Sequence, residues 1–136
     1  TIICANAQDT ASWWDGKPFD SILLDAPCTG TGVIRRHPDI KLLRQADDVS
    51  RLVAIQQQLL RSLWPCLKTG GRMLYSTCSI LKAENSLQIR AFLASAQDAK
   101  LVDITLPGAI LCTAGLQFLP GQNNLDGFYY ALLEKV

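Results

Sequence analysis

The sequence predicts one α/β domain built on a mostly parallel sheet, and three observations carry that expectation. Short apolar runs alternate with longer stretches of helical periodicity, the pattern of right-handed βαβ crossovers. The runs ending at Asp25 and Thr77 are each closed by Pro, Gly, Ser or Thr, as buried parallel strands are. The chain has 136 residues, 49% of them hydrophobic and 18% charged, with no shift in composition along its length, which suits one core and no second domain.

Each element follows in order. Thr1 to Cys4 reads as the tail of a strand, and Ser21 to Asp25 as a short buried strand. Residues 26–41, with Pro27, Gly30, Gly32 and Pro38, form a loop too long to be simple punctuation. Leu52, Ile55, Leu59, Leu60, Leu63 and Leu67 step by three and four, predicting a helix from about Val49 to Leu67 capped by Ser50 or Asp48. Pro65 should loosen its last turn, because proline lacks the N–H that the turn needs. Gly70-Gly71 then stops the helix and opens a strand, Arg72 to Thr77. A second helix spans about Ala83 to Ser95, with Leu87, Ile89, Phe92 and Leu93 turned inward. Lys100 to Leu106 and Phe128 to Glu134 complete the set as strands.

Composition narrows the function classes. No apolar stretch reaches the ~18 residues of a membrane span. The start also lacks the basic-then-apolar pattern of a signal peptide, so a cytoplasmic protein is expected. Cys4, Cys28, Cys66, Cys78 and Cys112 are odd in number, include no CxxC pair and have one histidine for company, which argues against a disulfide framework or a zinc site. A net charge of +1 supplies no global attraction to nucleic acid, leaving any such contact to a local patch.

The chemistry concentrates at two strand ends. In Asp25-Ala26-Pro27-Cys28 a carboxylate and a thiol flank a proline that restricts the backbone between them. Ser76-Thr77-Cys78-Ser79 sits at a strand-to-helix junction, where helix N-terminal amides lower a thiol pKa. Taken singly, each motif also reads as a turn-capping Asp or a small buried Cys. In α/β sheets, however, residues past the carboxyl ends of strands build one crevice, so both thiols and the carboxylate should meet. Methylation of a pyrimidine carbon needs such a set. A thiolate adding at cytosine C6 makes C5 nucleophilic, an acid near N3 and the exocyclic amine stabilises the adduct, and a second group assists release. An Asp-x-Pro-x turn equally suits methylation of an exocyclic nitrogen, which needs no thiol, and a non-enzymatic RNA-binding or folding fragment is the third reading.

The dense basic cluster, Arg35, Arg36, His37, Lys41 and Arg44, lies just after Cys28, where it is placed to meet phosphates near a target base. The alternative is a solvated loop paired with Asp39, Asp47 or Asp48. Trp13 and Trp14 read first as packing residues and second as a stacking platform. His37 has no carboxylate at close spacing, which argues against a Cys/His hydrolase.

These motifs resemble the bacterial 16S ribosomal RNA cytosine-5 methyltransferases of the Sun/Fmu type, within the RNA 5-methylcytosine methyltransferases. The resemblance is carried by Phe19-Asp20-Ser21-Ile22-Leu23-Leu24-Asp25-Ala26-Pro27-Cys28, by Gly32 to Lys41, by Tyr75-Ser76-Thr77-Cys78-Ser79, by Glu84-Asn85 and by Asp126-Gly127-Phe128-Tyr129. It implies a Rossmann-like S-adenosylmethionine-dependent methyltransferase fold, with S-adenosyl-L-methionine as methyl donor and small-subunit ribosomal RNA as partner. It further implies Cys78 as nucleophile, Cys28 as the group assisting breakdown of the covalent intermediate, and Asp25 in contact with cytosine or cofactor. Asn6 matches the family's adenine-contacting Asp, and Pro27 falls in the cofactor-binding turn. The family's glycine-rich cofactor loop and ribose-binding acid would precede Thr1, so residues 1–136 are expected to be the C-terminal portion of a catalytic domain truncated at its N-terminal half. The strand ending at Asp25 would then present an open edge, through which self-association is expected.

Overall fold

The computed structural model describes residues 1–136, and its backbone forms a mixed six-stranded sheet with helices on one face. Strands β1 (Phe19–Asp25) and β2 (Leu67–Thr77) pair in parallel through the helix between them, α2 (Ala46–Leu63), which follows a single turn, α1 (Ile40–Leu43). After β2 come helix α3 (Ser86–Ser95) and strands β3 (Ala99–Val102), β4 (Ile110–Leu111), β5 (Leu116–Phe118) and β6 (Phe128–Lys135). The order is β1-β2-β6-β5-β4, and β3 lies beside the second half of β6.

The expectation of a mostly parallel sheet is corrected here. Only β1 and β2 pair in parallel, because β6 inserts antiparallel between β2 and β3 and fills the gap left by the crossover through α3. β3 still runs in the direction of β2, both being antiparallel to β6. Two-residue β4 and three-residue β5 were not anticipated, being too short to show periodicity.

Other boundaries shift for local reasons. Thr1 to Cys4 forms no strand and is exposed. Helix α2 begins at Ala46 because Gln45 and Asp48 make a reciprocal capping box, one turn before the cap expected at Ser50 or Asp48. Pro65 converts the end of the helix to a 3-10 turn, Trp64–Cys66, so Leu67 opens β2 instead of closing α2. Gly70 and Gly71 lie inside β2 and not before it: Gly70 takes a left-handed φ of 77°, and the register with β1 slips there between Phe19 and Ser21. Helix α3 starts at Ser86, after Asn85 with non-helical φ −112° and ψ −108°. Its Leu87 is exposed, contrary to expectation, while Ile89 and Phe92 point inward. The strand expected over Lys100 to Leu106 stops at Val102.

The core lies between the helices and one face of the sheet. Leu59, Leu60 and Leu63 of α2 and Ile89 and Phe92 of α3 cover Met73 and Tyr75 of β2 and Tyr129, Ala131 and Leu133 of β6. Each fully buried aliphatic side chain contributes about 1.5–3 kcal/mol relative to exposure. Trp64 closes one end of this core, edge-on to Phe92 at 5.2 Å and donating to Asp98 Oδ1 at 2.9 Å. Lys135 Nζ donates to the carbonyls of Trp64 and Leu67, a cation at the helix C-terminal end. Trp13 packs against the core and lies 6.4 Å from Phe19, so its packing role is the one seen. The other edge of β1 has no strand partner, and Leu23 on it is 68% exposed. No helix is long and apolar enough to cross a membrane.

Candidate active site

The carboxyl ends of β1 and β2 carry the predicted groups to one place. Asp25 pairs across the sheet with Ser76, whose hydroxyl donates to Asp25 Oδ1 at 2.9 Å, and Ala26 N–H donates to Ser76 O at 2.9 Å. The chain then turns through Pro27, and Cys28 Sγ comes to rest 3.4 Å from Cys78 Sγ. Both sulfurs are partly buried, within hydrogen-bond distance of each other across fifty residues of sequence. Asp25 itself is exposed, and its second carboxylate oxygen receives no hydrogen bond from the protein.

The two thiols do not titrate alike. A proton kept on Cys28 and donated to the Cys78 sulfur lowers the Cys78 pKa to about 7, against the opposing effects of burial and of the Asp25 and Glu84 carboxylates. Cys28 is raised for the reciprocal reason, the hydrogen bond to Cys78, with burial adding to it. Ionisation of the pair therefore favours the Cys78 sulfur, about half of it thiolate near neutral pH, while Cys28 keeps its proton.

A buried polar frame holds this geometry, and the sequence did not reveal it. Glu84 is fully buried and accepts from Thr29 N–H at 2.8 Å, Thr29 Oγ1 at 2.6 Å, Gln56 Nε2 at 3.2 Å and the Ser79 hydroxyl. It ties the residue after Cys28 to the residue after Cys78. Asn85 accepts from Thr77 Oγ1 at 2.6 Å and donates to Ser79 O at 2.8 Å, while Gln117 Oε1 accepts from its amide at 2.8 Å. Gln56 Nε2 also donates to Pro27 O at 2.9 Å, fixing the turn from the helix below. The sequence offered Glu84-Asn85 as the opening of a helix, with a role at the site suggested by the family resemblance alone. The only local signal of another role is a Ser/Thr-rich surround at Thr29, Thr31, Thr77 and Ser79.

Gly32 is the hinge between the motifs. Its N–H donates to Cys78 O at 2.9 Å and its carbonyl accepts from Gly127 N–H at 2.8 Å. A Cβ there would stand 2.0 Å from Gly127 O, so no other residue fits without moving backbone.

The remaining predicted residues divide. Arg36 Nε lies 2.5 Å from Asp126 Oδ2, and Arg35 donates to Asn124 O at 2.8 Å with Asp126 Oδ1 at 3.7 Å. Their partner is thus Asp126, and not Asp39, Asp47 or Asp48. Arg44 instead donates to Thr29 O at 2.8 Å and lies 4.0 Å from Asp48. His37 and Lys41 are exposed and form no ion pair. Asn6 lies in an N-terminal turn, its Oδ1 accepting from Gln8 N–H at 3.1 Å, and no hydrogen bond links it to Asp25 or Pro27.

Helices packed on a mixed sheet, with a carboxylate and two thiols gathered at adjacent strand ends, define an α/β domain with a reactive crevice at the carboxyl ends of its parallel strands. Three solved structures share the fold: PH0851 (TM-score 0.90, 36% identity), NSun6 from Pyrococcus horikoshii with SFG (0.81, 25%) and a methyltransferase homolog from Pyrococcus horikoshii (0.78, 27%). They cover 96%, 100% and 97% of this chain, which in turn covers 30%, 34% and 43% of theirs. The chain belongs to the family described as 16S rRNA methyltransferase RsmB/F, which matches residues 1–134. Among curated relatives, the ribosomal RNA small subunit methyltransferase B of Pseudomonas putida is 53% identical over 99% of this chain, and that of Pasteurella multocida 54% over 100%. The chain spans 31% of the length of each.

Proposed function

We propose that the protein carrying this chain methylates carbon 5 of a cytosine in small-subunit ribosomal RNA through a covalent bond from Cys78 to C6. The observation that carries this reading is the 3.4 Å approach of Cys28 and Cys78 beside the Asp25 carboxylate. Relatives named as small-subunit ribosomal RNA methyltransferases support the substrate, and the SFG-bound relative, holding an analogue of S-adenosylmethionine, supports the methyl donor.

Each group has a role its surroundings favour. Cys78, ionised near neutral pH, adds to C6 and makes C5 nucleophilic, as an enamine carbon. Asp25, held from one side by Ser76, uses its other oxygen to accept from the cytosine exocyclic amine and to pass a proton to N3, which becomes basic as the sulfur adds at C6. S-adenosylmethionine, when bound, supplies the electrophilic methyl group. The exposed Pro27 turn would lie against it, and Asn6 keeps a second lone pair that would accept from the adenine amine. Loss of the C5 proton to solvent water then lets the C5–C6 double bond re-form as the C6–sulfur bond breaks and its electron pair returns to the Cys78 sulfur. Cys28, beside the leaving sulfur, assists that step. Target bases attacked at C6 must be unstacked, so the substrate is a splayed or flipped cytosine.

The test is adduct trapping with the full-length protein. Cys78→Ala should abolish methylation and any RNA adduct on a denaturing gel, and Cys28→Ala should let the adduct form and persist. Identical behaviour of the two variants would reject these roles. Retained methylation by Cys78→Ala would instead mark transfer to an exocyclic nitrogen, which needs no thiol.

A further inference from the structure

Beside the thiols, and not including them, is a pocket of about 320 Å³ lined by Arg36, Phe118, Asn124, Asp126, Phe128 and Tyr130. Backbone hydrogen bonds through Gly127 and Gly32 link the Asp126–Phe128 wall to Cys78: Gly32 N–H donates to Cys78 O, and Gly32 O accepts from Gly127 N–H. The sheet register explains the aromatic wall. Phe128 and Tyr130 alternate out of β6 on the face away from the helices, and Phe118 pairs with Phe128 from β5. The Phe128 and Tyr130 rings are near parallel, 11° apart in plane, and Phe118 meets Tyr130 edge-on. All three are only partly buried, leaving ring surface open to a ligand.

The opposite wall is built and polar. Asn123 and Asn124 both hold left-handed φ values, 51° and 60°, which few non-glycine residues adopt, and Arg35 pins this turn through Asn124 O. The Asp126 side chain is 9% exposed, and its Oδ1 is buried without a hydrogen-bond partner. Arg36, 65% exposed, spends Nε on Asp126 and leaves its terminal nitrogens at the rim.

An aromatic wall and a guanidinium at the mouth match two needs of one unpaired nucleotide, a ring surface for the base and a cation for its phosphate. We infer that this pocket takes the base next to the target cytosine in the RNA chain, stacked on the Phe118, Phe128 and Tyr130 wall with its phosphate at Arg36. The inference rests on the reading of the protein as an RNA cytosine methyltransferase. It makes the pocket a determinant of sequence context, separate from the groups that perform the chemistry.

The test uses the full-length protein and the RNA segment it methylates, prepared intact and with an abasic residue on the 5′ or the 3′ side of the modified cytosine. One abasic position should raise KM about tenfold, the effect expected of a lost base–aromatic stack, with the smaller change in kcat. Phe118→Leu, which keeps apolar bulk while losing the ring, should show a similar rise on intact RNA and no further rise with the abasic RNA. Arg36→Gln should weaken RNA binding and make it less salt-dependent. Thermal melts confirm that both variants fold. A full abasic penalty retained by Phe118→Leu, or no penalty at either position, would overturn the subsite while leaving the catalytic reading intact. Absence of methylation and adduct from wild-type protein on intact RNA would overturn both.

Discussion

Glu84 reaches across 55 residues of sequence to accept hydrogen bonds from the backbone and hydroxyl of Thr29, while Ser79 donates to the same carboxylate. The residues following Cys28 and Cys78 are therefore tied to one buried group, and the separation of the two sulfurs depends on it. Removing it as Glu84→Ala would strand the Thr29 N–H and two hydroxyls in the interior, at a cost of about 3 kcal/mol or more. Glu84→Gln keeps the shape but turns an amide donor toward donors, costing about 1–3 kcal/mol. Thermal melts check both. Because the Glu84 charge opposes ionisation of Cys78, the Gln variant should also make that thiol more acidic while making the protein less stable. A purely structural role predicts only the second effect.

The thiol pair gives a pH signature that needs no RNA. Alkylation of Cys78 by iodoacetamide should have its midpoint at about 7, rising as pH increases because only the thiolate reacts, and falling about tenfold per pH unit below the midpoint. In Cys28→Ala the donated hydrogen bond is gone, so the midpoint should climb toward the ordinary thiol value. An unmoved midpoint would show that Cys28 does not hold the Cys78 thiolate.

Gly32→Ala puts a methyl group 2.0 Å from Gly127 O and 2.9 Å from Cys78 O. Both neighbours are backbone and cannot rotate away, so the loops must part. A loss of about 2–3 kcal/mol is expected, with the low Cys78 midpoint lost as well. Melting and the alkylation profile measure the two effects.

Asp25→Asn keeps the size of the side chain and one oxygen for Ser76, and the position is exposed, so the melt should barely change. Methylation should fall by about a hundredfold or more, the scale of a lost proton-transfer or charge-stabilising group. Single-turnover kinetics at saturating RNA separates this from weaker binding. Full activity in this variant would remove Asp25 from the chemistry.

Much of the site was legible before any coordinates because its parts follow short-range rules. Apolar runs closed by Asp-Ala-Pro-Cys and Ser-Thr-Cys-Ser placed Asp25, Cys28 and Cys78 past strand ends, and the topology of α/β sheets brings such ends together. The periodicity from Leu52 to Leu63 located α2, and Pro65 marked where it loosens. Sequence rules failed where long-range partners decided the outcome. The antiparallel place of β6 between β2 and β3 is a matter of pairing, which its apolar alternation does not encode. Gly70-Gly71, a plausible helix stop, became a bulge because β1 runs alongside.

The same division holds for the charges. Sequence alone determined that a basic cluster follows Cys28 and that two thiols and a carboxylate share a crevice, since composition and strand ends are local properties. Only the tertiary structure decided that Asp126 claims Arg35 and Arg36, that Glu84 and Asn85 tie the two cysteine loops together, and that ionisation favours Cys78 over Cys28. Those outcomes depend on which groups lie within 3–4 Å of one another, and hydrogen bonds and ion pairs fall off too steeply with distance for residues some 50 to 90 positions apart in the chain to reveal them.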